Sequence, residues 1–224
     1  LPTPTIKYSR LLAAADIHGY KDELSLLLKE ANYNPLHDQL ILLGDYIDAD
    51  NPATWATLDT VRQLAAEGAL VLPGNQELRL LVNREHQPSL PSDTLQWLEQ
   101  LPLYIVEGNF LFVHAGLRPG IPLNKQSAKD LTEIRDDFIN QPLAEHDEAL
   151  AYVIIFGHTP TFKLGAPAGE LWAGNRRVAI DTGAKHGCRL SLLDVGQLIR
   201  YSCSTAAHSC GGDLRRESLA HPFS

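Results

Sequence analysis

The chain has 224 residues, room for one large domain or two small ones, and its 44% apolar content supports a full core without disulfides. A net charge of −8 excludes the basic surface that long nucleic acids require but suits a site that gathers divalent cations, and no apolar run approaches the ~18 residues of a membrane span. Cys188, Cys203 and Cys210 are odd in number and lack CxxC spacing, so they read as free thiols in a reducing, cytoplasmic setting, and residues 1–10 lack the apolar stretch of a secretory leader.

Five segments repeat one grammar, an apolar strand followed by a polar turn. Residues 11–15 run into Asp16-Ile17-His18-Gly19. A helix over 21–30 follows, with Leu24, Leu27 and Leu28 on one face. Residues 39–43 run into Gly44-Asp45-Tyr46-Ile47-Asp48. Asn51 is an N-cap with Pro52 at the first helical position, the stripe Trp55, Leu58, Val61, Leu64 and Ala65 continues that helix, and Gly68 stops it. Residues 70–72 run into Pro73-Gly74-Asn75, and Ser92 caps a helix over 93–100. Residues 109–113 run into His114-Ala115-Gly116.

Residues 118–149 break this grammar. They are polar, carry a helical core over 131–139, and read as an insertion covering part of a site. Residues 152–156 then run into Gly157-His158-Thr159-Pro160, and strands follow over 177–180, 189–194 and 197–201. Residues 203–224 are small and polar and are expected to form a poorly ordered tail behind a domain over 1–202.

Strands alternating with helices early, and consecutive strands late, predict a layered α/β fold: two facing sheets with helices outside. Ligands collect at strand ends in such folds. Those ends carry Asp16, His18, Asp45, Asp48, Asn75, His114 and His158. Carboxylates, imidazoles and an amide oxygen are ligands for hard-to-borderline divalent metals, and the absence of thiolate disfavours structural zinc. So many donors exceed one tetrahedral site and suit two metals sharing a carboxylate.

The ordered series of these turns, closed by Ile180-Asp181-Thr182-Gly183, resembles the calcineurin-like metallophosphoesterases over residues 16–183, about three quarters of the chain. It looks closest to the branch of bacterial Ser/Thr phosphoprotein phosphatases and diadenosine tetraphosphate hydrolases. The resemblance implies a four-layer sandwich of two facing mixed β-sheets flanked by helices. It also implies two divalent ions, Mn²⁺ first with Fe or Zn²⁺ as alternatives. Asp16 and His18 would bind one ion, Asp45 would bridge, and Asn75, His114 and His158 would complete the other. A water activated between them would attack phosphorus.

Three positions depart from that pattern. The residue after the metal-binding Asn is usually a His backed by the Asp of the second motif and is the general acid; here it is Gln76, with Asp48 retained. Two arginines of the family are replaced by Ala49 and Pro73. Arg135 resembles the anion-binding arginine of the bacterial insertion, with Arg118, Arg176, Arg177 and His186 as weaker candidates. A hydrolase of phosphoproteins or of nucleotide and dinucleotide polyphosphates, favouring good leaving groups, is one reading. A phosphatase fold that holds metal and a phosphorylated partner without turnover is the other.

Overall fold

Alternation along the strands sets the layers. In β1 (Arg10–Ala14) and β2 (Asp38–Leu42), Leu12, Ala14, Leu40 and Leu42 pack with α1 (Lys21–Glu30) and α2 (Thr57–Ala66). Ala13 and Ile41 point the other way, into a core shared with Phe112, Ile155 and Val178 of a second sheet. A period of two thus gives each strand two buried faces. The far face of the second sheet carries Leu111, Val113, Ile154 and Phe156, covered by Leu131, Ile134 and Phe138 of the insertion. The result is helix, sheet, sheet, helix. A computed structural model describes residues 8–83, 90–143 and 148–220; the sequence readings at 1–7, 144–147 and 221–224 lie outside the described residues.

The first sheet has the order β11-β10-β9-β1-β2-β3, with β3 at Leu70–Val71, β9 at Arg189–Asp194, β10 at Ile199–Ser204 and β11 at Arg215–Ser218. The second has the order β4-β5-β6-β8-β7, with β4 at Tyr104–Glu107, β5 at Phe110–Val113, β6 at Val153–Phe156, β7 at Trp172–Gly174 and β8 at Arg177–Ala179. In each sheet three adjacent strands are parallel: β1, β2, β3 and β5, β6, β8. Antiparallel strands flank the β1 side of the first trio, whose β3 is the sheet edge, and both sides of the second.

Several local expectations change. Asn51 does cap, its side chain accepting from Ala53 N–H, but it starts a short 3₁₀ turn, Pro52–Thr54, ahead of a separate α2. Ser92 is the first residue of α4 (Ser92–Glu99), and Pro91 precedes it with no side-chain cap. The helical core over 131–139 breaks into α5 (Ala128–Glu133) and α6 (Asp136–Ile139), with Arg135 at the break. Strands β4 and β7 sit at sheet edges with half-exposed residues, so neither carries a strong buried pattern.

The largest correction concerns residues 203–224. Cys203 is fully buried in β10, and β11 pairs with β10 along its whole length. The physical reason is charge. Arg189 and Arg200 are buried in β9 and β10 and draw Asp213 and Glu217 from this segment, at 2.7 and 2.6 Å. A polar stretch that looks unstructured alone is anchored by arginines that cannot stay unpaired in a core.

Candidate metal centre

All six parallel strands end at one rim of the sandwich. From β1 come Asp16 and His18; from β2, Asp45 and Asp48. From β3, across Gly74, comes α3 (Asn75–Val82), whose first residue is Asn75. The second sheet delivers His114 after β5, His158 after β6 and Asp181 after β8. Two bonds tie the sheets together there. His158 N–H donates to Asp16 Oδ2 at 2.9 Å, and His114 Nδ1 donates to the Leu43 carbonyl at 2.8 Å.

The backbone bends sharply to reach the rim. Asp16, His18, Asp45 and His158 all lie in the left-handed region, at φ of 54, 47, 52 and 64°. Such positions cost about 1–3 kcal/mol each and persist only where the surroundings enforce them. Here Glu77 helps: its wholly buried carboxylate accepts from the N–H groups of Asp45, Tyr46 and Gly74, each at 2.8 Å. The start of α3 adds another bond, Gln76 N–H to Asp45 Oδ1 at 2.9 Å, with the positive end of the helix dipole behind it.

Two triads of ligand atoms emerge, Asp16–His18–Asp45 and Asp45–His114–His158, each with its atoms within 4.8 Å of one another. Asp45 belongs to both. Asn75 Oδ1 lies 3.2 Å from His114 Nε2 and joins the second triad. The protonation states suit a cation. Because the Leu43 carbonyl can only accept, His114 carries its proton on Nδ1 and presents a bare Nε2. That lone pair faces Asn75 Oδ1 and Asp45 Oδ1, the latter at 3.5 Å, so acceptors confront acceptors. His158 Nε2 is buried with no partner among the described residues.

Electrostatics point the same way. Burial first, then the neighbouring carboxylates, raises Asp16 well above the usual carboxylate range. Burial likewise lifts Asp45 and Asp181 to about 6 and Glu77 to about 7. Burial depresses His114 to about 4 and His158 to about 2, leaving both imidazoles neutral. Buried carboxylates that resist ionising together, beside uncharged imidazoles, form a cage short of positive charge. The donor set therefore fits divalent cations.

The other predicted residues fall unevenly. Asp48 accepts from His18 Nδ1 at 2.9 Å and pairs with Lys185. Although burial opposes it, these partners hold the Asp48 carboxyl down at about 2. Asp48 thus orients a candidate ligand instead of backing residue 76. Gln76 Oε1 accepts from Ala49 N–H at 3.1 Å, which fixes its amide plane. Arg135 Nη1 donates to Thr159 Oγ1 at 3.1 Å, beside His158, and forms no ion pair with Glu133 or Asp136 among the described residues. Arg118 is committed to Asp130 and Asp137, Arg176 donates to the Tyr152 carbonyl, and Arg177 stacks on Phe138. His186 packs edge-on against Phe162, 5.3 Å between centroids. Sequence reasoning gave no role to Glu77, Asp181 or Lys185. Asp181 lies inside a quoted motif and Glu77 two residues beyond one, and the burial of both is what the sequence did not show.

Comparison with known proteins identifies the family. The family model described as calcineurin-like phosphoesterase matches residues 9–193. A symmetrical bis(5'-nucleosyl)-tetraphosphatase of Shewanella sediminis is 38% identical over 120 residues, 46% of this chain and 43% of the relative. One of Vibrio parahaemolyticus is 33% identical over 135 residues, 53% and 50% of the two chains. The matches thus span about half the length of these curated relatives. Among solved structures, "a putative diadenosine tetraphosphatase" superposes with a TM-score of 0.73 at 24% identity, covering 92% of this chain and 97% of that one. A cold-active protein-tyrosine phosphatase of a psychrophilic Shewanella gives 0.59 at 18% identity, covering 98% and 83%. These two likenesses bear on the fold. With the family model covering most of the chain and the rim assembled as described, the chain belongs to the calcineurin-like phosphoesterase family.

Proposed function

We propose that this chain is a metal-dependent phosphoester hydrolase acting on phosphoanhydrides and other esters with good leaving groups. The observation that carries the reading is the pair of ligand triads sharing Asp45, with the bare His158 Nε2 aimed into one of them. Asp16, His18 and Asp45 would hold one divalent ion; Asp45, Asn75, His114 and His158 would hold the second. Mn²⁺ is the first choice by resemblance to the family, with Fe or Zn²⁺ as alternatives that three oxygen and three imidazole donors also suit. Bound there, the ions supply an activated water at neutral pH and neutralise charge growing on the phosphoryl oxygens.

The chain's own groups do the rest. Asp48 fixes the His18 tautomer so that Nε2 faces Asp16 and Asp45. Arg135, beside His158, offers its guanidinium to a phosphoryl oxygen. Gln76, its carbonyl held by Ala49, can turn only its NH₂ toward a leaving oxygen. That group donates a hydrogen bond but no proton, so departure depends on the leaving group's own acidity. Nucleoside phosphates and aryl alcohols leave well; serine does not. The names of the curated relatives support dinucleoside polyphosphates as the substrate class. Gln76 also favours a second reading, a fold that binds metal and a phosphorylated partner without turnover.

The deciding experiment is hydrolysis of diadenosine tetraphosphate and an aryl phosphate with Mn²⁺. Removing the shared carboxylate charge with Asp45→Asn should lower both rates by at least about 10²-fold. Mn²⁺ bound by the unaltered chain, with rates no higher than those of Asp45→Asn, would favour the binding module.

A further inference from the structure

Lys185 occupies a position no motif explains. It sits in a 3₁₀ turn, Ala184–His186, bracketed by Gly183 and Gly187 at φ of 85 and 68°. The turn is pinned from beneath: Ala184 is buried, and its carbonyl accepts from Thr205 Oγ1 at 2.9 Å. From this fixed base the side chain crosses the rim to Asp48 Oδ1, the same oxygen that accepts from His18 Nδ1. The ammonium stays accessible, with 45% of the side chain exposed. It overhangs a cleft of about 290 Å³ bounded by His18, Asp48, Asn51 and Thr54.

The ligand cluster therefore has one cation on each flank, Arg135 beside His158 and Lys185 beside His18. The two flanks differ in charge. The cleft near Arg135, about 300 Å³, is lined by four carboxylates, Asp130, Glu133, Asp136 and Asp137, against the cations Arg118, Lys129 and Arg135, and Arg118 is spent on Asp130 and Asp137, so acids outnumber bases there. The cleft under Lys185 holds a single carboxylate, Asp48, already satisfied by two donors. Its remaining walls are neutral. An ammonium has three donors, and Asp48 engages it through one oxygen, so N–H groups remain for an incoming anion. Among the residues lining this cleft there is no arginine.

We propose that Lys185 binds the phosphate next to the reacting one in a substrate made of linked phosphates, steering the leaving portion into the cleft beside His18. The proposal rests on the phosphoesterase reading and makes Lys185 the residue that favours polyphosphates over monophosphates.

Calorimetric titration of the full, Mn²⁺-loaded chain with orthophosphate and with tripolyphosphate, the latter and its dinucleoside counterpart used as methylene-bridged analogues that resist hydrolysis, tests it. Lys185→Gln should weaken tripolyphosphate about 10-fold and orthophosphate about two-fold or less, and Lys185→Arg should restore most of the loss. Mn²⁺ affinity should hold in both variants. A role limited to orienting His18 through Asp48 would lower Mn²⁺ affinity and weaken both anions alike, and that result overturns the proposal. So does an unchanged tripolyphosphate affinity. The diadenosine tetraphosphate analogue, run in parallel, should show the same loss as tripolyphosphate; a loss confined to either one contradicts recognition through the phosphates. A chain that binds tripolyphosphate through Lys185 yet hydrolyses nothing would sink the hydrolase reading and leave the clamp standing.

Discussion

In the proposed reaction, Gln76 places an amide where protonating a leaving oxygen would take an acid. Its neighbours deepen the point. Asp48, the carboxylate that could have activated a histidine there, is already taken by His18 and Lys185. A histidine introduced at 76 would therefore work without a dedicated partner. Gln76→His should raise turnover of a phosphoserine peptide relative to an aryl phosphate by about 10²-fold, the low end of general acid catalysis. Steady-state rates on both substrates check this. An unchanged ratio would mean that departure of the leaving group is not what limits alkyl phosphates.

The turn from β3 into α3 shows how an element positions a ligand. Gly74 is not there for a left-handed backbone; its φ is −97°. It is there for closeness. A Cβ at this position would collide with Asp45 Oδ1 and Asp45 N and would press on His114 Cε1 at 2.8 Å. The same backbone segment receives Glu77 and delivers Asn75. Gly74→Ala should displace the shared carboxylate. Overpacking of this kind costs about 1–3 kcal/mol, and Mn²⁺ affinity should fall more than stability does. Urea unfolding and metal titration of the same variant separate the two. A fold weakened by that amount with metal affinity intact would contradict a tight β2–β3 corner as the determinant of Asp45 placement.

The whole molecule depends on its last strands more than composition suggests. Ending the chain at Thr205 removes Asp213 from Arg189 and Glu217 from Arg200, although Arg200 keeps Glu170 at 2.6 Å. It also uncovers the edge of β10. Stripping a buried arginine of its partner costs about 3–5 kcal/mol, and an open edge invites association. The truncated chain should unfold at lower urea by that margin and form aggregates in light scattering. A truncation that is neutral in both measurements would return residues 203–224 to the status of a dispensable tail.

Local pattern was enough for the layers and for picking out most of the candidate ligand residues that the fold gathers at one rim. Alternating apolar residues marked β1, β2, β5 and β6, and Asp16, Asp45, Asn75, His114 and His158 announced themselves by following strands. Those features depend on neighbours a few residues away, which the order of amino acids specifies directly. The partnerships did not. That Asp48 serves His18 and Lys185, that Glu77 holds the second turn, and that Arg189 and Arg200 capture the C-terminal segment follow from groups 17 to 137 residues apart being brought together. Charge pairing in an interior is decided by what else is buried nearby, and only the folded chain determines that.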